Sequence, residues 1–593
     1  MPDPTPIAPR AAPRPAMTIL LDTSIPHTLD TLVERVAAMP GVQVQAWVFD
    51  DVATRRAAEQ RLAAAGVQAA IHSAYKPLLH FFLDALALEH DGGRLAAAGE
   101  ISVRLPAATT AGQSQRFRLE AYPLAGMLPQ GSLRLSEGDD ERHYVVGLDG
   151  IAHRVFVPLA ASGAPCGWLR LSRDGAVLED GPLATEYELA FAAAMDAIRG
   201  HAWGRQGPCF DVLRIAIDTG GIERRLSYQD ECISTREALH EDLYFSILEF
   251  FQDRAGLPRG DRTLQPGQIV PEVRHAQGAT RVRVALLPHP HVAAVTPADA
   301  AAAPLSPSAL AGLSQPLTPE AVAIEMQALG GKRFSVLSTQ GRMVHGTHIE
   351  GSLPGLVISG GQHANETSGV VGALRAAHAL KQRPHAHFAL IALENPDGAA
   401  LHVQLREDNP RHMSHAARYT ALGDDLEART APPFVEKAAR LEAIERTGAG
   451  LHMSLHGYPA HEWTRPLTGY VPPGFETWTI PKGFFLILRH HAGRNGMAFM
   501  QALTAQLAAS PDLAAFNARQ LATWGNHAGE VPFPVLNGIP CMIFEDSRST
   551  VPFTLVTEFP DQTVYGDAFR LAHTTQMRAV LAAAELYWAG LLG

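Results

Sequence analysis

The feature that most constrains this chain is a short apolar run that ends on two glycines and gives way to helical spacing: GLVISGGQHANETSGVVGALRAA, residues 355–377. The run before the glycines has no polar alternation, so it suits a strand covered on both faces, and the apolar residues after Ser368 recur at helical intervals. Another apolar strand, HFALIAL, follows the helix. Strand, helix and strand in that rhythm predict an α/β fold with a doubly wound sheet buried between helices. Ligands of such sheets gather where strands end, and His363 and Glu366 stand at one of these ends.

At 593 residues the chain exceeds one ordinary core. Its clearest seam is VAAVTPADAAAAPLSPSALAGLSQPLTPE, residues 292–320, where Ala, Pro and Ser displace the periodic patterns on either side. The expected organisation is a disordered Pro/Ala-rich tail over 1–16, an N-terminal α/β or α+β region over 17–291 divisible near residue 165, a linker over 292–316, and a second α/β domain over 317–593. In the first region TREALHEDLYFSILEFFQDRA, residues 235–255, predicts an amphipathic helix. His240 and Glu241 open an HExxH pattern there, but Tyr244 stands where the second histidine is required, so the pair is expected on an exposed polar face.

Several function classes drop out. A net charge of -11 with pI near 6.2 argues against a surface for nucleic acid or anionic membrane. No apolar run approaches the roughly 20 residues that cross a bilayer. The four cysteines form no CxxC pair, the N-terminus lacks the apolar core of a secretory signal, and a reducing cytoplasm is expected. Neither a GxSxG elbow nor a GxxxxGK[ST] loop occurs, which removes serine-hydrolase and P-loop chemistry.

What remains is metal chemistry. Zinc accepts imidazole nitrogen and carboxylate oxygen, and HxxE fixes one of each on a single turn. Three further segments follow: LENPDG at 393–398, AGLHMSLHGYP at 449–459 and FTLVTEFPDQT at 553–563. In this order, over 277 of the 593 residues, they resemble the zinc carboxypeptidase family. The resemblance implies one zinc per chain held by His363, Glu366 and His456, with His452 as the competitor for the third position. It implies Glu558 as the base that takes a proton from a water the zinc acidifies, with Glu545 as its rival. Of Arg406, Arg411 and Arg418, spacing favours Arg411 as the cation beside the developing oxyanion.

The chain also departs from the family. Where the family's Asp-Leu-Asn-Arg clasps a terminal carboxylate, this sequence has Asp425-Leu426-Glu427-Ala428, with Arg429 displaced by one. Glu427 and Arg429 are the expected substrate contacts, and Glu427 favours an amine, amide or acylated amino acid over a free carboxylate. The reading is a zinc-dependent hydrolase acting on a peptide or small amide. GGQHANE also resembles the HGNE segment of N-acyl amino acid deacylases of the aspartoacylase and desuccinylase kind, which is the alternative within metalloenzymes. A non-catalytic binding module of the same fold is the alternative outside them. His412 and His415 are expected to be loop histidines, not a second metal site.

Overall fold

The computed structural model describes residues 17–592, apart from 90–94, 96–98, 109–110, 205–206, 291–302 and 476–477. The expected tail and the first part of the expected linker lie outside the described residues. The rest of the linker carries a short helix, Pro307–Ala311, capped by the Ser306 hydroxyl and anchored by buried Leu310. Among the described residues, no helix is long and apolar enough to cross a membrane.

The chain is a mixed α/β structure with several sheets. The largest has nine strands: β1 (Lys332–Leu337), β2 (Met343–Ile349), β3 (Leu356–Gly360), β4 (Phe388–Ile391), β5 (Leu451–Pro459), β6 (Phe485–His490), β7 (Val535–Leu536), β8 (Ile539–Glu545) and β9 (Phe553–Gln562). Across the sheet their order is β1, β2, β4, β3, β5, β9, β6, β8, β7. Strand β3 is parallel to both β4 and β5, and β5 is parallel to β9. Parallel neighbours require crossovers, and helices supply them.

The helices that matter for the site are α1 (Thr235–Ala255) in the N-terminal half, then α2 (Ser368–Leu380), α3 (Pro396–Asp408), α4 (Ala438–Thr447) and α5 (Asp567–Trp588). Alternation along the strands decides which helix covers which face. Leu356 and Ile358 of β3 join Met453 and Leu455 of β5 in a core with Leu374 of α2 and Val580 of α5. Val357 points the other way, with Ala389 and Ile391 of β4, onto Ala439 and Ala443 of α4. Strand β3 is therefore buried throughout, as its unbroken apolar run requires. Each aliphatic side chain so buried contributes about 1.5–3 kcal/mol.

The N-terminal half contains three four-stranded sheets, one of them built from Thr18–Ile25, Thr280–Leu287, Val212–Thr219 and Gln268–His275. Its largest hydrophobic core does not stop at the expected seam. Tyr244, Phe245 and Phe251 of α1 share that core with Met413, Trp463 and Phe475 from the other half.

Helix α1 corrects the amphipathic expectation. His240 is 6% exposed and Glu241 0%, so neither lies on a solvated face. The polar side of α1 meets residues 413–468, which bring a partner to four of its carboxylates. Glu237 accepts from Met413 N–H and lies 2.8 Å from His461 Nε2. Glu241 pairs with His415, Asp242 accepts from Leu467 N–H and the Thr468 hydroxyl, and Glu249 pairs with Arg465. A buried carboxylate left without such partners costs several kcal/mol, so these contacts dictate how the halves dock.

Two outcomes follow from this shared core. Residues 317–593 expressed alone should be aggregated or loosely packed in size-exclusion chromatography and near-UV circular dichroism, since truncation strips Trp463 and Phe475 of their cover; a monodisperse, ordered fragment would contradict it. The second concerns pH. Against the penalty of burial, Glu237 and neighbouring acids raise His461 from 6.5 to about 9. The folded state thus holds a proton the unfolded chain releases, and the stability it contributes, present in full below 6.5, is lost as pH rises through about 9. Burial pushes Glu231 to about 8 and Asp242 to about 7, which acts in the same direction. The unfolding temperature should fall from pH 6 to 9, and His461→Gln should flatten that slope.

Candidate metal centre

Strand β3 ends at Gly360, and Gly361 turns the chain with φ +60°, a left-handed conformation that L side chains seldom adopt. A Cβ there would meet Leu393 Cδ1 at 2.6 Å. The turn leads through His363 to Glu366, whose N–H donates to the His363 carbonyl at 3.1 Å, and then into α2. His456 arrives from β5, one position before a second glycine. Gly457 donates its N–H to Glu366 Oε2 at 3.0 Å, while a Cβ on it would sit 1.9 Å from Asp561 Oδ1.

These elements bring His363, Glu366 and His456 together, all buried. His363 Nδ1 is 2.8 Å from Glu366 Oε1, His456 Nδ1 is 2.8 Å from Glu366 Oε2, and the two Nδ1 atoms are 3.1 Å apart. Two imidazole nitrogens and one carboxylate facing a common point form a donor set for zinc, whose tetrahedral bond lengths imply donor separations of about 3.4 Å. His363 Nε2 lies 3.3 Å from Asp425 Oδ2, a carboxylate that holds a proton on Nε2 and leaves Nδ1 free for a metal. The donor set therefore fits the ion. His452, the competitor, is four residues away on the same face of β5, and its Nε2 is hydrogen-bonded to Ser359 Oγ at 2.9 Å.

Strand register places Glu558. Glu558 on β9 pairs directly with His456 on β5, and both side chains line the same cleft, a cavity of about 190 Å³. Its Oε2 has no hydrogen-bond partner among the described residues. Burial, helped by the negative Glu366, pushes the Glu558 carboxyl well above its ordinary range, while Arg418 and Lys482 pull it back. Lys482 is itself pushed down to about 7 by burial, its ammonium lying 4.6 Å from the ring centroids of Tyr458, Trp478 and Phe485. Glu545, the rival, ends β8 in solvent and does not line the cleft.

Glu366 is held toward its ionised form. Burial works against its charge, but His363, Arg418 and His456 outweigh that penalty and hold it below the usual carboxylate range. Arg418 Nη1 donates to Glu366 Oε1 at 2.5 Å and lines the cleft. The NPDG segment explains how Arg418 is held. Asn395 caps α3 and donates to the Tyr419 carbonyl at 3.1 Å, one residue beyond the arginine.

Three sequence expectations are corrected. Arg411 is outside the cleft, 3.8 Å from Asp230 and 5.6 Å from the Tyr565 ring centroid, because the chain after α3 turns toward the N-terminal half before returning at His415–Ala417. Arg429 is 5% exposed and locked between Asp424 and Glu436, so it does not face the cleft. Glu427 does line the cleft, but Arg440 at 2.7 Å and Arg489 at 2.6 Å offset its charge, which removes the case for an amine there. Sequence reasoning assigned Asp425 no task and His415, which lines the cleft, only that of a loop histidine, and it did not single out Lys482 or Arg262. Only Asp425 carried a signal, its place in the DLEA segment.

The purified chain should bind about one zinc, measured by elemental mass spectrometry. His363→Ala should lose it, and Asp425→Asn should weaken it by about 10–100-fold. Full retention by His456→Ala would hand the third position to His452.

No family model matches the chain, and no curated protein matches it either. Solved structures do. A metallo-carboxypeptidase from Pseudomonas aeruginosa is 17% identical over 54% of this chain and 76% of its own, with a TM-score of 0.28. One from Burkholderia cenocepacia is 14% identical over 53% and 75%, with a TM-score of 0.29. A murein-tripeptide amidase from Escherichia coli O157 is 14% identical over 46% and 96%, with a TM-score of 0.25. Over about half of its length, this chain is similar to solved metallo-carboxypeptidases and to that amidase.

Proposed function

We propose that the C-terminal half is a doubly wound domain of zinc carboxypeptidase type that holds one zinc through His363, Glu366 and His456 and hydrolyses an amide or peptide bond. The observation that carries this reading is the pairing of that donor set with a buried Glu558, opposite His456 on the next strand, whose Oε2 has no hydrogen-bond partner among the described residues. When bound, zinc would polarise a carbonyl and acidify water at the same point.

The chain's own residues supply the rest. Asp425 fixes the His363 tautomer, and Glu366 keeps its charge under the influence of Arg418. As the carboxylate, Glu558 accepts a proton from the attacking water and returns it to the leaving nitrogen, and the upward push of burial on its pKa makes it the stronger base. Arg418 is a fixed cation beside the reacting carbonyl and takes the oxyanion role first expected of Arg411. The cavity of about 190 Å³ is small, which favours an acylated amino acid or short peptide over a folded protein chain.

Glu558→Gln should keep its equivalent of zinc while turnover of a panel of N-acyl amino acids and dipeptides falls by about 10²–10⁴-fold. If the zinc-loaded wild type cleaves nothing in such a panel, the fold serves as a binding module instead.

A further inference from the structure

A second cavity lies in the N-terminal half, between two of its four-stranded sheets. One sheet is built from Gln68–Ser73, Gln43–Val48, Trp168–Arg173 and Ala176–Pro182, the other from Leu133–Glu137, Ile101–Leu105, His143–Leu148 and Ile151–Phe156. On the first, Val44, Ala46 and Leu169 pack into one core with Leu32 and Leu62 of the helices Thr28–Ala37 and Val52–Ala64. Alternation turns Trp47 and Arg170 to the opposite face, where they line the cavity with Arg154 and Phe156 of the second sheet. The enclosed volume is about 360 Å³, within the roughly 300–1,000 Å³ of small-molecule sites. It shares no lining residue with the metal cleft.

The walls of this cavity are aromatic and its rim is cationic. Trp47 and Phe156 meet with ring centroids 4.7 Å apart, and Phe81 adds a third ring. The Arg170 guanidinium lies 5.8 Å from the Trp47 centroid and 5.3 Å from that of Phe156. Arg170 and Arg154 are 32% and 62% exposed, and their carboxylate partners, Asp180 and Asp140, stand outside the lining. Pairs as exposed as these contribute little and exchange readily for the anion of a ligand. Asp84, the carboxylate within the lining, is already engaged by Arg55, Arg224 and His80.

His80 supplies the third feature. It lines the cavity at 5% exposure, and its Nδ1 lies 3.2 Å from Asp84 Oδ2, a carboxylate that keeps the proton on Nδ1. Burial holds the imidazole toward its neutral form, so Nε2 is a lone-pair acceptor. That atom is buried and has no hydrogen-bond partner among the described residues. Buried acceptors are ordinarily satisfied, and a donor that enters with a ligand would satisfy this one.

We propose that this cavity binds a small molecule that combines a flat aromatic ring, an N–H donor on the ring and an anionic substituent. The ring packs on Trp47, Phe81 and Phe156, the N–H donates to His80 Nε2, and the anion takes Arg154 and Arg170 at the rim. The N-terminal half thus has a ligand of its own, and the assignment stands whether or not the metal centre hydrolyses an amide.

Isothermal titration of the full chain with three probes of nearly equal shape tests each contact. They are indole-3-acetate, 1-methylindole-3-acetate, which lacks the N–H, and indole-3-acetamide, which lacks the charge. Indole-3-acetate should bind about tenfold more tightly than the amide and about threefold or more above the methylated acid, as the loss of a charged and of a neutral hydrogen bond require. Arg154→Gln combined with Arg170→Gln, both side chains reaching solvent, should keep the melting temperature and erase the preference for the acid over the amide. His80→Leu should erase the preference for the N–H; should that variant not fold, the wild-type comparison of the two acids decides the same contact. Stripping zinc should change none of these affinities. Equal binding of the three probes, or no binding of indole-3-acetate, would overturn the assignment. So would a preference that survives in the variant lacking its partner, or an affinity that depends on zinc, which would move the ligand to the metal centre.

Discussion

Four carboxylates on one buried helix govern the assembly of this molecule. Glu237, Glu241, Asp242 and Glu249 lie along α1, packed among residues such as Tyr244, Phe245 and Phe251 where water is excluded. Taking charge or even neutral carboxyl into such a core is unfavourable unless donors arrive with it. Those donors come from Met413, His415, His461, Arg465, Leu467 and Thr468. The same stretch of chain carries Arg418, Asp425 and His456. Docking the two halves and shaping the cleft are therefore one event, and neither half presents a finished surface without the other.

Within that frame, the centre depends on where strands stop. The turn after β3 delivers His363 and Glu366, while β5 delivers His456 and β9 delivers Glu558, the last two fixed opposite each other by backbone pairing. Gly457 allows the closest approach, since only a residue without Cβ admits Asp561 beside it while its N–H reaches Glu366. The local charges then sort themselves. Glu366 is kept ionised by two imidazoles and Arg418, whereas Glu558, facing Glu366 from an apolar wall, is driven the other way. Two carboxylates one strand apart thus take opposite protonation tendencies, which suits one for holding a cation and the other for moving a proton.

The sequence carried the local part of this and little of the rest. Unbroken apolar runs announced β3, β4 and β5, since burial on both faces leaves a one-dimensional mark. The HxxE turn, His456 and Glu558 were visible because each terminates such a run. Arg411 was misplaced because counting residues from NPDG ignores the path the loop takes, and that path is set by contacts with the N-terminal half. The charges of Arg429 and Glu427 were misjudged for a related reason, as their counter-ions Glu436, Arg440 and Arg489 come from other turns of the chain and from β6, and the fold, not residue spacing, brings them into contact. Helix α1 failed most plainly. Its polar residues were read as solvated, although they are the acceptors of a buried interface.

The direct pairing of His456 with Glu558 has a further meaning. Adjacent strands are held about 4.8 Å apart by their hydrogen-bond ladder, whatever side chains they bear. The spacing of the two backbone positions that carry the imidazole and the carboxylate is accordingly a property of the sheet's lattice and does not depend on the length or composition of the surrounding loops. Reactive spacing and molecular preference are built from different materials here, one from backbone and the other from loops. Lineages of this architecture are thus free to remodel what enters the cleft while the distance on which the chemistry turns stays constant.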